Sequence, residues 1–215
     1  MEAAAKDATD VPCVWVLAGH RTGDNLQLEA LAHALGWPWE RRTLAWRGWT
    51  LSWTPFYGRR RPSLRPLTGE ARAAIRPPWP DLVLSIGWRS VPVARWIGRE
   101  SGARLVHLGR PRAPLAAFDL VLTTPQYQLP EAPNVVRLAA PLSRLSPAAL
   151  EAAAERWRPR LEHLPRPWIA VLVGGSAPPL RLTEAAAAEL GGRADRLACA
   201  RGGSLLIATG PRTPA

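Results

Sequence analysis

Short apolar runs of strand length recur along this chain, each ended by glycine or proline, and several are followed by a helical pattern. That alternation is the tightest constraint on the fold, because strands separated by helices assemble into a parallel sheet covered on both faces. The first repeat is the clearest. Cys13 to Ala18 is an apolar run that ends in the turn Gly19-His20-Arg21-Thr22-Gly23. Asp24 stands at an expected N-cap with Gln27 three residues on, which is capping-box spacing. Leu28, Leu31, Ala32 and Leu35 follow at helical spacing, and Gly36 supplies the stop.

The same grammar continues. Trp39 to Trp46 reads as a second strand, and Asp81 to Ile86 as a third, set off by Pro77-Pro78-Trp79-Pro80. Gly87-Trp88-Arg89 turns the chain, and Ser90 is expected to cap a helix through Val93, Trp96 and Ile97. Further strands are predicted at Arg104 to Leu108, Asp119 to Thr123 and Asn134 to Leu138. Ser146 and Pro147 open a helix from Ala148 to about Arg158, after which Pro159, Pro165 and Pro167 mark a boundary. The pattern then restarts with a strand at Trp168 to Val173, the turn Gly174-Gly175-Ser176, a helix from Thr183 through Leu190 and a strand at Ser204 to Thr209. The expected organisation is a disordered stretch at 1–10, a Rossmann-like α/β domain at 11–158, a linker at 159–167 and a partial second Rossmann-like domain at 168–215.

Composition narrows the class of function only slightly. The formal net charge is +11, and Lys6 is the sole lysine among 28 basic residues. Such a charge favours anionic partners, although a bias towards Ala, Arg and Pro accounts for it equally well. Cys13 and Cys199 lack the spacing of a zinc site or disulfide framework. No run of about 18 apolar residues is present, and the first ten residues have no apolar core like that of a signal peptide. A cytoplasmic protein is expected, with peripheral attachment to the inner face of the membrane as the variant of that reading.

The candidate binding groups lie at the carboxyl ends of strands, where open parallel sheets receive ligands. Gly19, Gly23, Asp24, Asn25 and Gln27 form one such turn, and Gly174, Gly175 and Ser176 another. Glycine there lets backbone amides approach an anion, and a following helix adds partial positive charge. Neither turn has dinucleotide or P-loop spacing, and an ordinary βα turn requires the same glycines. Arg89 and Ser90 sit in a third turn, where Arg89 could reach an anion and Ser90 is most simply a cap. His20 is the single candidate general base. His107 reads as a satisfied core histidine. No motif for a metal or an organic cofactor is present, so none is expected.

Between Trp37 and Pro66 there are five tryptophans, seven arginines and one acid, Glu40. Such a mixture suits an anionic membrane interface and, less well, single-stranded nucleic acid. It suits equally a strand and loop whose tryptophans pack on the core.

Several short stretches, taken in order, carry a family likeness. They are Gly23-Asp24-Asn25 with Gln27, Pro78-Trp79-Pro80-Asp81-Leu82-Val83, and Arg89-Ser90 with Pro92-Val93-Ala94-Arg95-Trp96. Then come Leu108-Gly109-Arg110-Pro111-Arg112, Phe118-Asp119-Leu120-Val121, and Thr123-Thr124-Pro125-Gln126-Tyr127 with Leu129-Pro130 and Pro133-Asn134-Val135. The last are His163-Leu164-Pro165-Arg166-Pro167 and the run from Ala170 to Ser176. Together they resemble the mitochondrial fission, or elongated-mitochondria, proteins of plants and their bacterial relatives.

That resemblance implies a glycosyltransferase-B-type fold, here with a complete N-terminal half and a partial C-terminal half. Gly174-Gly175-Ser176 is similar to the glycine turn with which lipid-linked N-acetylglucosaminyl transferases meet a nucleotide-sugar donor. The implied activity is glycosyltransferase-like or nucleoside-diphosphate-sugar-epimerase-like, with diphosphate at Gly174 and the Gly19 to Gln27 turn facing an acceptor. Plant members are associated with recruiting a dynamin-related protein to the mitochondrial outer membrane, which implies a non-catalytic peripheral membrane adaptor as the alternative. Family members continue past Thr209, so the resemblance also implies a chain truncated at its C-terminus, with activity weakened accordingly.

Overall fold

In the computed structural model, the described residues are 11–48, 61–176, 181–210 and 213. The stretch expected to be disordered, 1–10, lies outside them. The chain divides into two compact units, Met1–Arg144 and Leu145–Ala215. The helix predicted from Ala148 therefore groups with the second unit, whereas the expected division falls at 159–167.

The apolar run after Cys13 becomes β1, Val14–Ala18. α1 follows as Thr22–Leu35 and is stopped by Gly36, which adopts the left-handed conformation. Next come β2, Trp39–Thr43; α2, Gly69–Ala73; β3, Leu82–Ile86; and α3, Val91–Ser101. The unit closes with β4, Arg104–Leu108; β5, Leu120–Thr123; and β6, Val135–Arg137. All six strands pair in parallel, in the order β2-β1-β3-β4-β5-β6. The unit is thus an α/β domain with a Rossmann-like parallel sheet, of the kind found in glycosyltransferase-B folds.

Strand alternation divides the core into two layers. Val14, Val16, Leu84, Val106 and Leu108 face α1 and pack on Leu28 and Ala32. Trp15, Leu17, Val83, Leu105 and Val121 face the other side, against Ala71 of α2, Ile75 just beyond it, and Ala94 and Ile97 of α3. Trp15 is fully buried, and its ring lies 5.8 Å from Trp79, which in turn lies 6.1 Å from Trp96. An indole removes about 150–250 Å² from water, so burying Trp15 contributes about 4–6 kcal/mol at about 25 cal/mol per Å². The Arg42 guanidinium caps the same ring at 4.1 Å.

His107 is fully buried on the α3 side, with Nδ1 2.9 Å from Ser85 Oγ, while Nε2 has no hydrogen-bond partner. The expected core histidine is therefore only half satisfied. Burial lowers its pKa to about 3, so the ring is neutral.

The second unit contains α4, Pro147–Leu161; β7, Trp168–Val173; α5, Glu184–Arg201; and β8, Ser204–Thr209. Ser146 and Thr183 cap their helices as expected, accepting from Ala149 N–H at 3.1 Å and Ala186 N–H at 3.2 Å. Pro159 lies inside α4, contrary to its expected role as a boundary. A proline near a helix end removes only one hydrogen bond, and the last turn still closes from Glu162 N–H to Arg158 O at 2.9 Å. β7 and β8 pair in parallel over six residues each, with Trp168 opposite Ser204 and Val173 opposite Thr209. Leu172, opposite Ala208, remains 81% exposed and Ile207, opposite Val171, 61% exposed, so each face of this small sheet carries an exposed apolar side chain within its unit. Gly203 is required for the pairing, because a Cβ there would stand within van der Waals overlap of Pro167 O.

Two outcomes follow from this packing. Below pH 6.5 the unfolded chain binds a proton at His107 that the native ring refuses until about pH 3. Unfolding free energy of the first unit should therefore fall with pH across pH 6.5 to 5, by up to about 1.4 kcal/mol per unit. Urea titrations of wild type and His107→Gln check this, the variant losing that component of the slope. Separately, Gly203→Ala should accelerate hydrogen exchange of the β8 amides by at least about tenfold, about 1.4 kcal/mol of local opening. Unchanged exchange there would contradict the close approach.

Candidate functional site

In the sheet order the chain passes from β1 to β2 on one side and then to β3 on the other. The gap between the carboxyl ends of β1 and β3 is therefore the topological switch point, where parallel sheets leave a crevice. A cleft opens there, floored by Leu17, Leu44, Trp46 and Ile86 and walled by Gly19, His20, Arg21, Asp24, Trp88 and Arg89.

Asn25 fixes the first wall. Its buried amide accepts from Gly19 N–H at 2.8 Å and donates to Gly19 O at 2.9 Å. This residue, expected to touch ligand, instead has both amide groups engaged in shaping the turn. Asp24 is not the N-cap either: α1 begins at Thr22, with Arg21 at the N-cap and no side-chain acceptor from it. The helix starts earlier than expected because Asn25, not Asp24, supplies the polar contact that turns the chain. The first-turn N–H groups are thus left without a capping side chain from Arg21 and face the cleft end of β1.

Ser90 fixes the second wall. It occupies the expected N-cap position of α3, but its side chain makes no cap hydrogen bond. Its hydroxyl donates instead to the carbonyls of Ile86 and Gly87, each at 2.9 Å. Gly87 has φ +73°, and a Cβ built on it would stand 4.0 Å from Asp24 Oδ2, so the two walls meet closely. Arg89 is held half-buried between these turns, its guanidinium 5.3 Å from the centre of the Trp88 ring.

The cleft is electrostatically positive. Arg21 and Arg89 form no ion pair among the described residues, whereas Arg41 is paired with Glu29 at 2.7 Å and Arg42 with Glu40 at 2.5 Å. The pKa of His20 lies below its usual value, through partial burial first and then the charges of Arg89 and Arg21, with Asp24 acting in the opposite sense. An anion can be held here by two guanidinium groups and helix amides, beside a histidine that is mostly neutral at pH 7.

The structure gathers Gly19, His20, Asp24, Arg89 and Ser90 into this cleft. Gln27 lies elsewhere, in a smaller hollow with Gly109, Thr123, Thr124 and Tyr127, and Gly23 is exposed. Gly174, Gly175 and Ser176 belong to the second unit, after β7. Ser176 Oγ accepts from Leu182 N–H at 3.0 Å, and α5 does not begin until Glu184, where Thr183 already caps it. Arg21, Trp46 and Trp88 were not singled out by sequence as part of this site. The strand expected from Trp39 to Trp46 ends at Thr43, which leaves Trp46 in the loop at its carboxyl end, bridged to Leu67.

Several residues of the described part of the Trp/Arg-rich segment 37–66 are engaged in the fold, while Trp37, Arg61 and Arg65 are exposed. Trp39 meets His33 edge-on at 5.2 Å, Trp46 packs on the core, and Arg41 and Arg42 are ion-paired. Residues 49–60 of the segment lie outside the described residues. No helix among the described residues is long and apolar enough to cross a membrane. Among them no group of three or more His, Cys, Asp or Glu side chains is arranged to hold a metal ion.

The electrostatics of the cleft have a direct readout. Histidine NMR titration should place the His20 midpoint below 6.5, moving up in Arg89→Ala and down in Asp24→Asn. Identical midpoints in all three proteins would mean that these groups do not share one cleft.

No curated protein matches the chain. The family model described as mitochondrial fission ELM1 matches residues 18–215, which takes in both glycine turns, every cleft residue but Leu17 and, of β1, its last residue Ala18. This chain belongs to the mitochondrial fission ELM1 family.

Proposed function

We propose that this protein binds a nucleotide sugar, in the manner of a glycosyltransferase-like protein, with a phosphate seated in the cleft between the carboxyl ends of β1 and β3. One observation carries the reading: Arg21 and Arg89, without an ion pair among the described residues, line the cleft at the sheet's switch point together with the α1 N-terminus. Fixed cations and oriented amides recognise phosphate, and the apolar floor of Leu17, Leu44 and Trp46 suits the carbon body attached to it. His20, mostly neutral near pH 7, is the lining group suited to accept a proton from an acceptor hydroxyl. The Gly174 turn takes no part in this reading, because Thr183 already satisfies the start of α5. The adaptor alternative draws no support from Trp39, Trp46, Arg41 or Arg42, which are occupied within the first unit.

A uridine-diphosphate sugar titrated into labelled protein should give saturable shifts of the Gly19 and Arg89 amides. Arg89→Ala should weaken binding by about tenfold or more, since a charge-assisted hydrogen bond contributes about 1.5–3 kcal/mol. Shifts absent from the β1 and β3 turns, or an affinity indifferent to Arg89, would remove the proposal.

A further inference from the structure

A third guanidinium stands beside Trp88, one of the residues that wall the same cleft. Arg112 lies 5.5 Å from the centre of the Trp88 ring, the ring that Arg89 approaches at 5.3 Å. Arg112 is exposed and has no ion-pair partner among the described residues. Two uncompensated guanidinium groups on one indole repel each other in the absence of an anion.

The backbone around Arg112 is built to present it. Arg112 has φ +54°, and Gln128 has φ +46°; these are the two non-glycine residues with positive φ among the described residues. Such conformations are unfavourable for side chains with a Cβ and persist only where the surroundings enforce them. Here both loops are tied together. Arg110 donates from Nε to Tyr127 O at 3.1 Å and from Nη2 to Gln128 O at 3.1 Å, with a further short contact from Nη2 to Tyr127 O. The Tyr127 ring packs against Gly109 so closely that a Cβ there would lie 2.9 Å from its Cζ. Pro111 is buried beside them. The loop after β4 is thus clamped onto the loop after β5, and the exposed Arg112 stands beside the Trp88 ring.

We infer that Arg112 is a second anion-binding arm of the cleft, which makes the site selective for a diphosphate over a single phosphate. This rests on the reading of the cleft as a phosphate site. One phosphate sits between Arg21, Arg89 and the α1 amides. The adjoining phosphate extends along the Trp88 edge to Arg112. A monophosphate engages only the inner set and gains little from the outer arginine.

The test uses inorganic pyrophosphate and orthophosphate as probes, by calorimetric titration at fixed pH and ionic strength. Arg112→Gly is the informative variant, because glycine accepts the positive φ at that position and the fold is kept; an unchanged thermal midpoint verifies it. Wild type should bind pyrophosphate at least about tenfold more tightly than orthophosphate. In Arg112→Gly that ratio should fall about tenfold while orthophosphate affinity stays within about twofold. Arg89→Ala should weaken both anions. Equal losses for both anions in Arg112→Gly, or no loss for either, would overturn the role of Arg112 and leave the phosphate cleft standing. Wild type that binds neither anion would overturn the cleft reading itself, and this inference with it.

Discussion

A parallel sheet buried on both faces leaves few places for chemistry. In the first unit the strand backbones are engaged in ladders, and the side chains of β1, β3 and β4 alternate between two apolar layers. Polar groups within those layers are costly, as the unpaired Nε2 of His107 and Nε1 of Trp15 illustrate. Side chains that must meet a solute are therefore confined to the loops beyond the strand ends. Reversal of strand order at β1 then parts two of those loops. The location of the cleft follows from the packing of the core before any functional residue is chosen.

The loops themselves are held by uncharged hydrogen bonds, while the charges are left over. The Asn25 amide and the Ser90 hydroxyl, which shape the two main walls, are both engaged with backbone. Arg21 and Arg89 form no ion pair among the described residues. Some arginines elsewhere are paired locally, as in Arg104 with Asp119 at 2.6 Å and Arg193 with Glu189 at 2.6 Å.

Much of the fold was legible because its signals are local. The strands at Arg104 to Leu108, Trp168 to Val173 and Ser204 to Thr209 appear with the boundaries their apolar runs suggest. Gly36, Ser146 and Thr183 end or begin helices as their chemistry dictates. The short helix α2 escaped notice because five residues carry no periodicity. The candidate site was legible only in outline. Glycine turns after strands marked Gly19 and Arg89, but strand order is a tertiary property, and it alone separates the cleft residues from Gln27 and Gly23. Asp24 is not the N-cap and Asn25 is turned onto Gly19, because which of two adjacent polar side chains meets the preceding turn is decided by the helix start, which sequence spacing placed too late.

The Asn25 clamp has an evolutionary consequence. One buried side chain beyond the carboxyl end of β1 holds the first βα turn at Gly19, while His20, Arg21 and Thr22 are exposed. Those three positions are thereby released from maintaining the architecture. A lineage built on this scaffold can exchange the groups that meet a ligand while folding stays intact, provided the amide that pins Gly19 remains. Foldability and specificity are assigned to neighbouring residues, which lets the second drift without endangering the first.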